Sequence, residues 1–325
     1  MNSSAVYSSE PVDARGVAGN WGPPMSYAAN LGRDRIIAML RDLGAADLQH
    51  AFDRACLQGQ LETARGLLAM GAHPALDSAM GPCESQSGSG LALLLELGAE
   101  ISDAHGDRLA PVALLLETYS RNPEGKHRCL ELFLEHGIEL PDTPPVAVHR
   151  GRIDLLEEHL RRDPKLLART FTHAEIYPPD LGCHADESLA LHGTPLAGAT
   201  LLHLCVDNDE LEIARWLMER GADANAKAAV DAEGFGGHTA LFGCVVSQPY
   251  RVGLRKDDAF ARLLLDRGAD PNLRASLRKR LRFVADESMH EYRDVTASAW
   301  GKRFHDQDWV STPALSLIAN RGGHD

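Results

Sequence analysis

The sequence contains little of what stabilises small secreted proteins or membrane proteins. Its six cysteines are scattered along 325 residues without any Cys-x-x-Cys pair, which excludes a disulfide framework and zinc-finger spacing. No apolar run approaches the ~20 residues that a membrane-spanning helix needs. The polar first 20 residues lack the apolar core of a secretory signal, and we expect them to be disordered. These absences favour a protein of the reducing cytoplasm without a membrane partner.

Basic charge and catalytic motifs are also scarce. The net charge is −13 and the isoelectric point is about 5.6, so a broad acidic surface would repel nucleic-acid phosphates. The chain contains no Gly-x-Gly-x-x-Gly turn, no phosphate-binding loop of the Walker type and no Gly-x-Ser-x-Gly elbow. We therefore expect no nucleic-acid partner, no cofactor, no bound metal and no catalytic nucleophile.

Glycines at a regular spacing are the clearest feature that is present. Gly44, Gly71 and Gly98 are 27 residues apart, and each ends a leucine-rich segment. The fullest unit of this kind runs from Leu201 to Ala226. A fixed period of this length predicts a stack of small helical units in which each unit packs on its neighbours.

The local sequence of that unit predicts two helices. Thr200 can cap a first helix, and the polar run from Asp207 to Asp209 favours a turn. A second helix is predicted from about Glu210 through Arg220, with Gly221 as the left-handed residue that ends it.

The sequences TLLHL at 200–204 and GADAN at 221–225 resemble the ankyrin repeat. The unit departs from that pattern at Leu201, where proline is usual, and at Asp209, where glycine is usual. The resemblance implies an all-α, ankyrin-type helical repeat solenoid over residues 21–325, with seven to eight units and inserts near 171–193, 247–257 and 273–291. It also implies that His203 hydrogen-bonds the turn of a neighbouring unit.

The insert at 171–193 is rich in histidine and acidic residues. His184, Asp186, Glu187 and His192 are of the types that bind metals or transfer protons, although their spacing matches no known metal template. A polar surface loop whose turns are set by prolines and glycine is the favoured interpretation, and a ligand-binding loop or a metal site are the alternatives.

The segment Arg274–Arg282 is the one strongly basic run in this acidic chain. We interpret it as a helix. Its charges either pair with Asp286, Glu287 and Glu291 or meet an anionic partner.

The resemblance implies a non-catalytic module for protein–protein interaction, which binds a protein or a peptide through a concave groove and the inserted loops. An open groove with histidines that face water would fit this function. The alternative is an enzyme, or a protein that binds a metal or small ligand, with a pocket formed by the 171–193 insert. The residues expected to contact the partner lie in the inserts and turns: Tyr177, His184, His192, Phe235, His238, Tyr250 and Arg251.

Overall fold

The computed structural model describes residues 22–187, 190–251 and 257–325, and most of its regular elements are helices. The prediction of a helical repeat fold is therefore confirmed. The segment 1–20, predicted to be disordered, lies outside the described residues. Among the helices that the structure describes, none has the length and apolar character to span a bilayer.

The described residues form two compact units. The first contains residues 22–115, 124–137 and 283–286, and the second contains the described parts of 116–123, 138–282 and 287–325. The predicted number of seven to eight repeats stays a prediction.

The first part of the chain consists of short helices joined by tight turns. In chain order they are α1 (Pro24–Asn30), α2 (Asp34–Asp42), α3 (Leu48–Leu57), α4 (Leu61–Ala69), α5 (Met80–Ser85), α6 (Gly88–Glu96), α7 (Ala110–Glu117) and α8 (Pro123–Glu135). Helix α3 packs against α1, α4, α5 and α6. Phe52 on α3 is fully buried with Met25 and Leu94, so an apolar core runs through successive helices.

The later part of the chain adds shorter helices and two strands. They are α9 (Pro144–His149), α10 (Ile153–Arg162), α11 (His173–Ile176), α12 (Leu201–Asp207), α13 (Leu211–Glu219), α14 (Ala240–Gly243), α15 (Gln248–Arg251), α16 (Ala259–Asp266), β1 (Ala275–Lys279), β2 (His290–Val295), α17 (Ala297–Arg303) and α18 (Thr312–Asn320). Helices α12 and α13 match the two helices predicted for the clearest unit within one residue at each end.

The glycine that follows α13 has the predicted conformation. Gly221 has a φ of +94°, and the next residue, Ala222, donates its N–H to the carbonyl of Leu217 at 3.0 Å. This bond closes the C-terminus of the helix, and it requires a left-handed residue that glycine adopts without strain. Asp209, in the turn between α12 and α13, also has a positive φ, of 62°, at the position where the ankyrin pattern has glycine.

The helix predicted for Arg274–Arg282 was wrong, because residues in this run form β1. Strand β1 pairs antiparallel with β2, with Leu277 opposite Tyr292 and an irregularity between Ala275 and Leu277. Side chains along β1 alternate between buried and half-buried, which is the period of a strand. The fold is therefore helical with one two-stranded sheet among its described residues.

Two basic residues of this run pair with acidic residues other than those predicted. Arg278 forms ion pairs with Asp231 and Glu233, and Arg274 pairs with Asp294. A strand directs neighbouring side chains to opposite faces, so the charges reach acidic residues outside the run.

Candidate functional site

The insert at 171–193 begins with a helix that its own side chains stabilise. Thr172 precedes α11 and accepts a hydrogen bond from the N–H of Glu175, while the Glu175 carboxylate accepts one from the N–H of Thr172 at 2.8 Å. This reciprocal pair satisfies N–H groups that a helix start leaves open. Gly182, with a φ of +82°, ends the following turn. Local bonds thus order the first half of the insert.

Tyr177 lies at the end of α11 and is only 2% exposed. Its ring lies 5.5 Å from that of His149 and 5.2 Å from that of His173, measured between centroids. Burial raises the pKa of its hydroxyl well above the usual range, and the Asp207 carboxylate raises it further. Tyr177 therefore packs the insert against α9 and does not lie on the surface.

A buried ion pair lies close to Tyr177. Nη2 of Arg121 is 2.9 Å from Oδ2 of Asp207, and both side chains are almost completely buried. The same guanidinium donates to the backbone carbonyls of Thr118, Ser120 and Asp207. A buried pair with its hydrogen bonds filled in this way joins the end of α12 to the segment after α7.

His184 is the exposed histidine of the insert, with 58% of its side chain accessible. Its backbone N–H donates to one carboxylate oxygen of Glu117, and its Nδ1 lies 2.8 Å from the other. The expectation that the insert's histidines face water is correct for this residue.

His192 contradicts the same expectation, because only 1% of it is exposed. Its Nε2 lies 3.3 Å from Oε1 of Glu187, and its Nδ1 lies 3.3 Å from Nζ of Lys279, a residue of β1. His173 completes this cluster, since one potential ligand atom each from His173, Glu187 and His192 all lie within 4.8 Å of one another. The structure therefore brings together Glu187 and His192 from the predicted set.

Charges in this cluster are strongly influenced by burial. Burial lowers the pKa of Lys279 to about 8, although Glu187 and Asp207 act in the opposite direction. Burial tends to raise the pKa of Glu187, but His192 and the N–H groups of Leu196 and Ala197 outweigh it and lower the pKa. The ionised carboxylate of Glu187 and the buried amine of Lys279 thus both lie next to His192.

Sequence reasoning missed two members of this cluster. His173 was not among the predicted residues, and Lys279 was assigned to a solvated helix. Neither position carries a local signal, because 106 residues separate them in the chain and only the tertiary fold makes them neighbours. Asp186 and His184, which were predicted beside Glu187 and His192, are not members of the cluster.

The histidine of the clearest repeat is bonded on both sides. His203 is 4% exposed, and its Nε2 donates to the backbone carbonyl of His238 at 3.0 Å. Its Nδ1 accepts from the backbone N–H and the hydroxyl of Thr200. The expected bond from His203 to a neighbouring turn is confirmed. Burial lowers the pKa of His203 to about 3, so the ring is neutral.

The next predicted contact residue, His238, has a similar position. It is 1% exposed, and its Nε2 donates to the carbonyl of Pro195 at 2.9 Å. Burial lowers its pKa to about 4. Together, His203 and His238 bond the segment before α14 to α12 and to the segment before α12.

The remaining predicted residues are also mostly buried. Phe235 is 5% exposed, and the guanidinium carbons of Arg278 and Arg293 lie 4.8 and 4.1 Å from its ring centroid. The hydroxyl of Tyr250, on α15, donates to the carbonyl of Cys244 at 2.9 Å. The side chain of Arg251 lies outside the described residues.

A groove of about 440 Å³ lies beside the first half of the insert. Its walls come from the start of α9, the end of α10 and the insert, and they include Pro141, Pro144, Pro145, Arg162, Arg169, Phe171, Glu175 and Pro178. Arg162 pairs with Asp142 at 3.1 Å, and Arg169 pairs with Glu175 at 2.6 Å. The groove is therefore lined by four prolines together with residues that form ion pairs.

Residues 197–229 match the family model described as the ankyrin repeat. This segment is an ankyrin repeat. It contains α12, α13, Gly221 and His203, which are the features that carried the resemblance in the sequence. No curated protein matches the chain.

Two solved structures similar to the chain are ankyrin repeat domains. The human ASB11 ankyrin repeat domain is 16% identical, with a TM-score of 0.30, and the match covers 94% of this chain and 100% of that one. The ankyrin repeat domain of Bcl-3, described as a unique member of the IkappaB protein family, is 18% identical with a TM-score of 0.27, over 92% and 98% of the two chains.

Proposed function

We propose that this chain is a non-catalytic module that recognises a protein or peptide through its inserted loops and the groove beside them. Ankyrin repeats serve in general as protein-interaction modules, and 197–229 is such a repeat. A cytoplasmic location and the absence of a nucleic-acid partner remain part of this proposal. The location rests on the scattered cysteines, and the absence of a nucleic-acid partner rests on the net charge of −13.

The groove of about 440 Å³ is the observation that carries the proposal. Its proline rings offer apolar surface at little entropic cost, because their side chains are already fixed. Charged groups of its lining pair with each other, as Arg162 does with Asp142. Apolar surface combined with a small number of polar groups is typical of binding surfaces.

Six of the seven predicted contact residues have described side chains, and under this proposal they divide into two roles. His184 stands at the surface and is available to a partner, whereas Tyr177, His192, Phe235, His238 and Tyr250 are buried supports. Buried side chains influence recognition only by holding the exposed loops in place. Alanine at Tyr177 would therefore disturb folding and binding together, so it is a poor test of the surface.

Charge reversal at the groove provides a cleaner test. Arg162→Glu and Arg169→Glu each change a half-exposed residue that lines the groove. Arg65→Glu is the matched control, because Arg65 is an exposed arginine of α4 that pairs with Glu62. A partner captured from native lysate with the full chain should bind the two groove variants at least about tenfold more weakly, which corresponds to about 1.4 kcal/mol. The control should bind as the unmodified chain does.

Two results would contradict the proposal. Capture that yields no specific partner with the folded chain would argue against the binding function. Equal affinity for all three variants would leave the function standing but would place the contact surface elsewhere.

A further inference from the structure

The cluster of His173, Glu187 and His192 has an unusual pattern of hydrogen bonds. Nε2 of His173 lies 3.1 Å from the backbone carbonyl of His184, so this nitrogen carries the proton and donates it. Its Nδ1 then presents a lone pair, and this buried atom has no hydrogen-bond partner among the described residues. A buried acceptor without a partner costs about 1–3 kcal/mol, which an ion or a water would offset.

His192 presents a second buried nitrogen to the same space. Its Nε2 forms no hydrogen bond within the described residues, although Oε1 of Glu187 lies 3.3 Å away. Because the ammonium of Lys279 lies 3.3 Å from Nδ1 and donates to it, Nε2 carries the ring proton, which a metal ion that binds there would displace.

Glu187 is held in place from behind. Its Oε1 accepts hydrogen bonds from the N–H groups of Leu196 and Ala197, both at 2.8 Å, which leaves Oε2 as the oxygen for a metal ion. About a quarter of its side chain remains exposed, in contrast to the two buried histidines, so the cluster has a path to solvent on this side. Outer contacts of this kind orient metal ligands, as the carbonyl of His184 does for His173.

We propose that His173, Glu187 and His192 bind a single transition-metal dication of the zinc class. Two imidazole nitrogens and one carboxylate form a borderline-soft ligand set that suits zinc, and a fourth position is left for water. The ligand atoms lie within 4.8 Å of one another, so the widest pair must close by up to about 1.5 Å to reach the ~3.3 Å edge of a tetrahedral zinc ion. A bound ion would tie α11 to the end of the insert.

Zinc alone, titrated calorimetrically into the metal-free full chain, tests this site. We expect one ion per chain with a Kd of about 10 µM or tighter. Glu187→Gln, which keeps an oxygen for Leu196 and Ala197 but removes the charge, should weaken zinc binding at least about tenfold, as should His173→Phe. The matched control is His105→Gln, an exposed histidine whose side chain lies outside the cluster.

A spectroscopic measurement on the unmodified chain covers the case in which a variant fails to fold. X-ray absorption at the zinc edge should show two imidazole nitrogens at about 2.0–2.1 Å. The proposal is overturned if the unmodified chain binds no zinc, if fewer than two imidazoles surround the ion, or if His105→Gln weakens binding as much as Glu187→Gln.

Discussion

The ankyrin repeat at 197–229 and the insert at 171–193 both bury histidine, but they treat its ring differently. In the repeat, both nitrogens of His203 have partners, from Thr200 and from the carbonyl of His238. In the insert, His173 and His192 each leave one buried nitrogen without a hydrogen bond among the described residues. Burial alone therefore does not distinguish a structural histidine from a candidate ligand. The distinction is whether the second ring nitrogen has a hydrogen-bond partner.

The physical origin of this difference lies in the backbone around each ring. His203 occupies the first turn of α12, where the repeat places Thr200 on one side and the next turn on the other. Among the described residues of the insert, the ring of His173 has one backbone partner, the carbonyl of His184. The histidines of the insert consequently meet each other and Glu187.

The largest effect on stability should come from the buried ion pair of Arg121 and Asp207, which joins the end of α12 to the segment after α7. Asp207→Ala leaves the buried guanidinium of Arg121 without its carboxylate, and we expect a loss of about 3–5 kcal/mol in the free energy of unfolding. Urea denaturation of the purified chain measures this loss. The double variant Arg121→Met with Asp207→Leu serves as the control, because it removes both charges and should recover most of the stability. A loss below about 1 kcal/mol for the single variant would show that the pair does not anchor the repeat.

The next effect compares the two kinds of histidine directly. His203→Leu removes bonds at both ring nitrogens and leaves buried backbone groups unpaired, so it should cost about 2–3 kcal/mol. His173→Leu removes one bond, to the carbonyl of His184, and should cost about 1 kcal/mol in the absence of metal. If both variants lose the same free energy of unfolding in the metal-free chain, the different hydrogen bonding of the two histidines has no effect on stability.

A smaller loss in the free energy of unfolding, of about 2 kcal/mol, should appear when the pH is lowered. Burial lowers the folded-state pKa of His203 from 6.5 to about 3, so the unfolded chain binds the additional proton between these values. The stability that this residue contributes is complete above pH 6.5 and is lost as the pH falls, by about 2 kcal/mol at pH 5. The difference in stability between the unmodified chain and His203→Leu should therefore narrow from pH 7 to pH 5.

That comparison also removes a contribution of opposite sign. Burial raises the pKa of Asp53 to about 6, so this carboxyl gains stability as the pH falls from 6 toward 3.8. Asp53 is present in both proteins, and its contribution cancels in their difference. A difference that stays constant with pH would contradict the neutral, buried state of His203.

Local features of the repeat could be predicted from the sequence because they depend on neighbours in the chain. Thr200, His203 and Gly221 act within one helix pair, and the structure confirms the helix ends and the bond to the adjacent turn. The hairpin of β1 and β2 could not be predicted in the same way. Its strands are joined by a long connection, and the charged residues of β1 obscured the alternation that Ala275 and Leu277 begin.

The candidate site was predicted only in part. Glu187 and His192 were chosen for their chemistry, and the structure places them together, but His173 and Lys279 enter from positions that carry no distinguishing pattern. Residue type also did not reveal exposure, since Tyr177, His238 and Tyr250 were expected at a contact surface and are buried. Polar side chains become buried when the fold supplies them with partners, and those partners are remote in the sequence.

The sequence by itself determined the helical units, because the glycine spacing and the apolar periodicity act over a few residues and specify helix ends and buried faces. Tertiary structure alone decided which polar groups of the inserts meet. Residues from α11, from the end of the insert and from β1 converge only after the helices have packed, since contacts across such distances depend on the whole arrangement of the backbone.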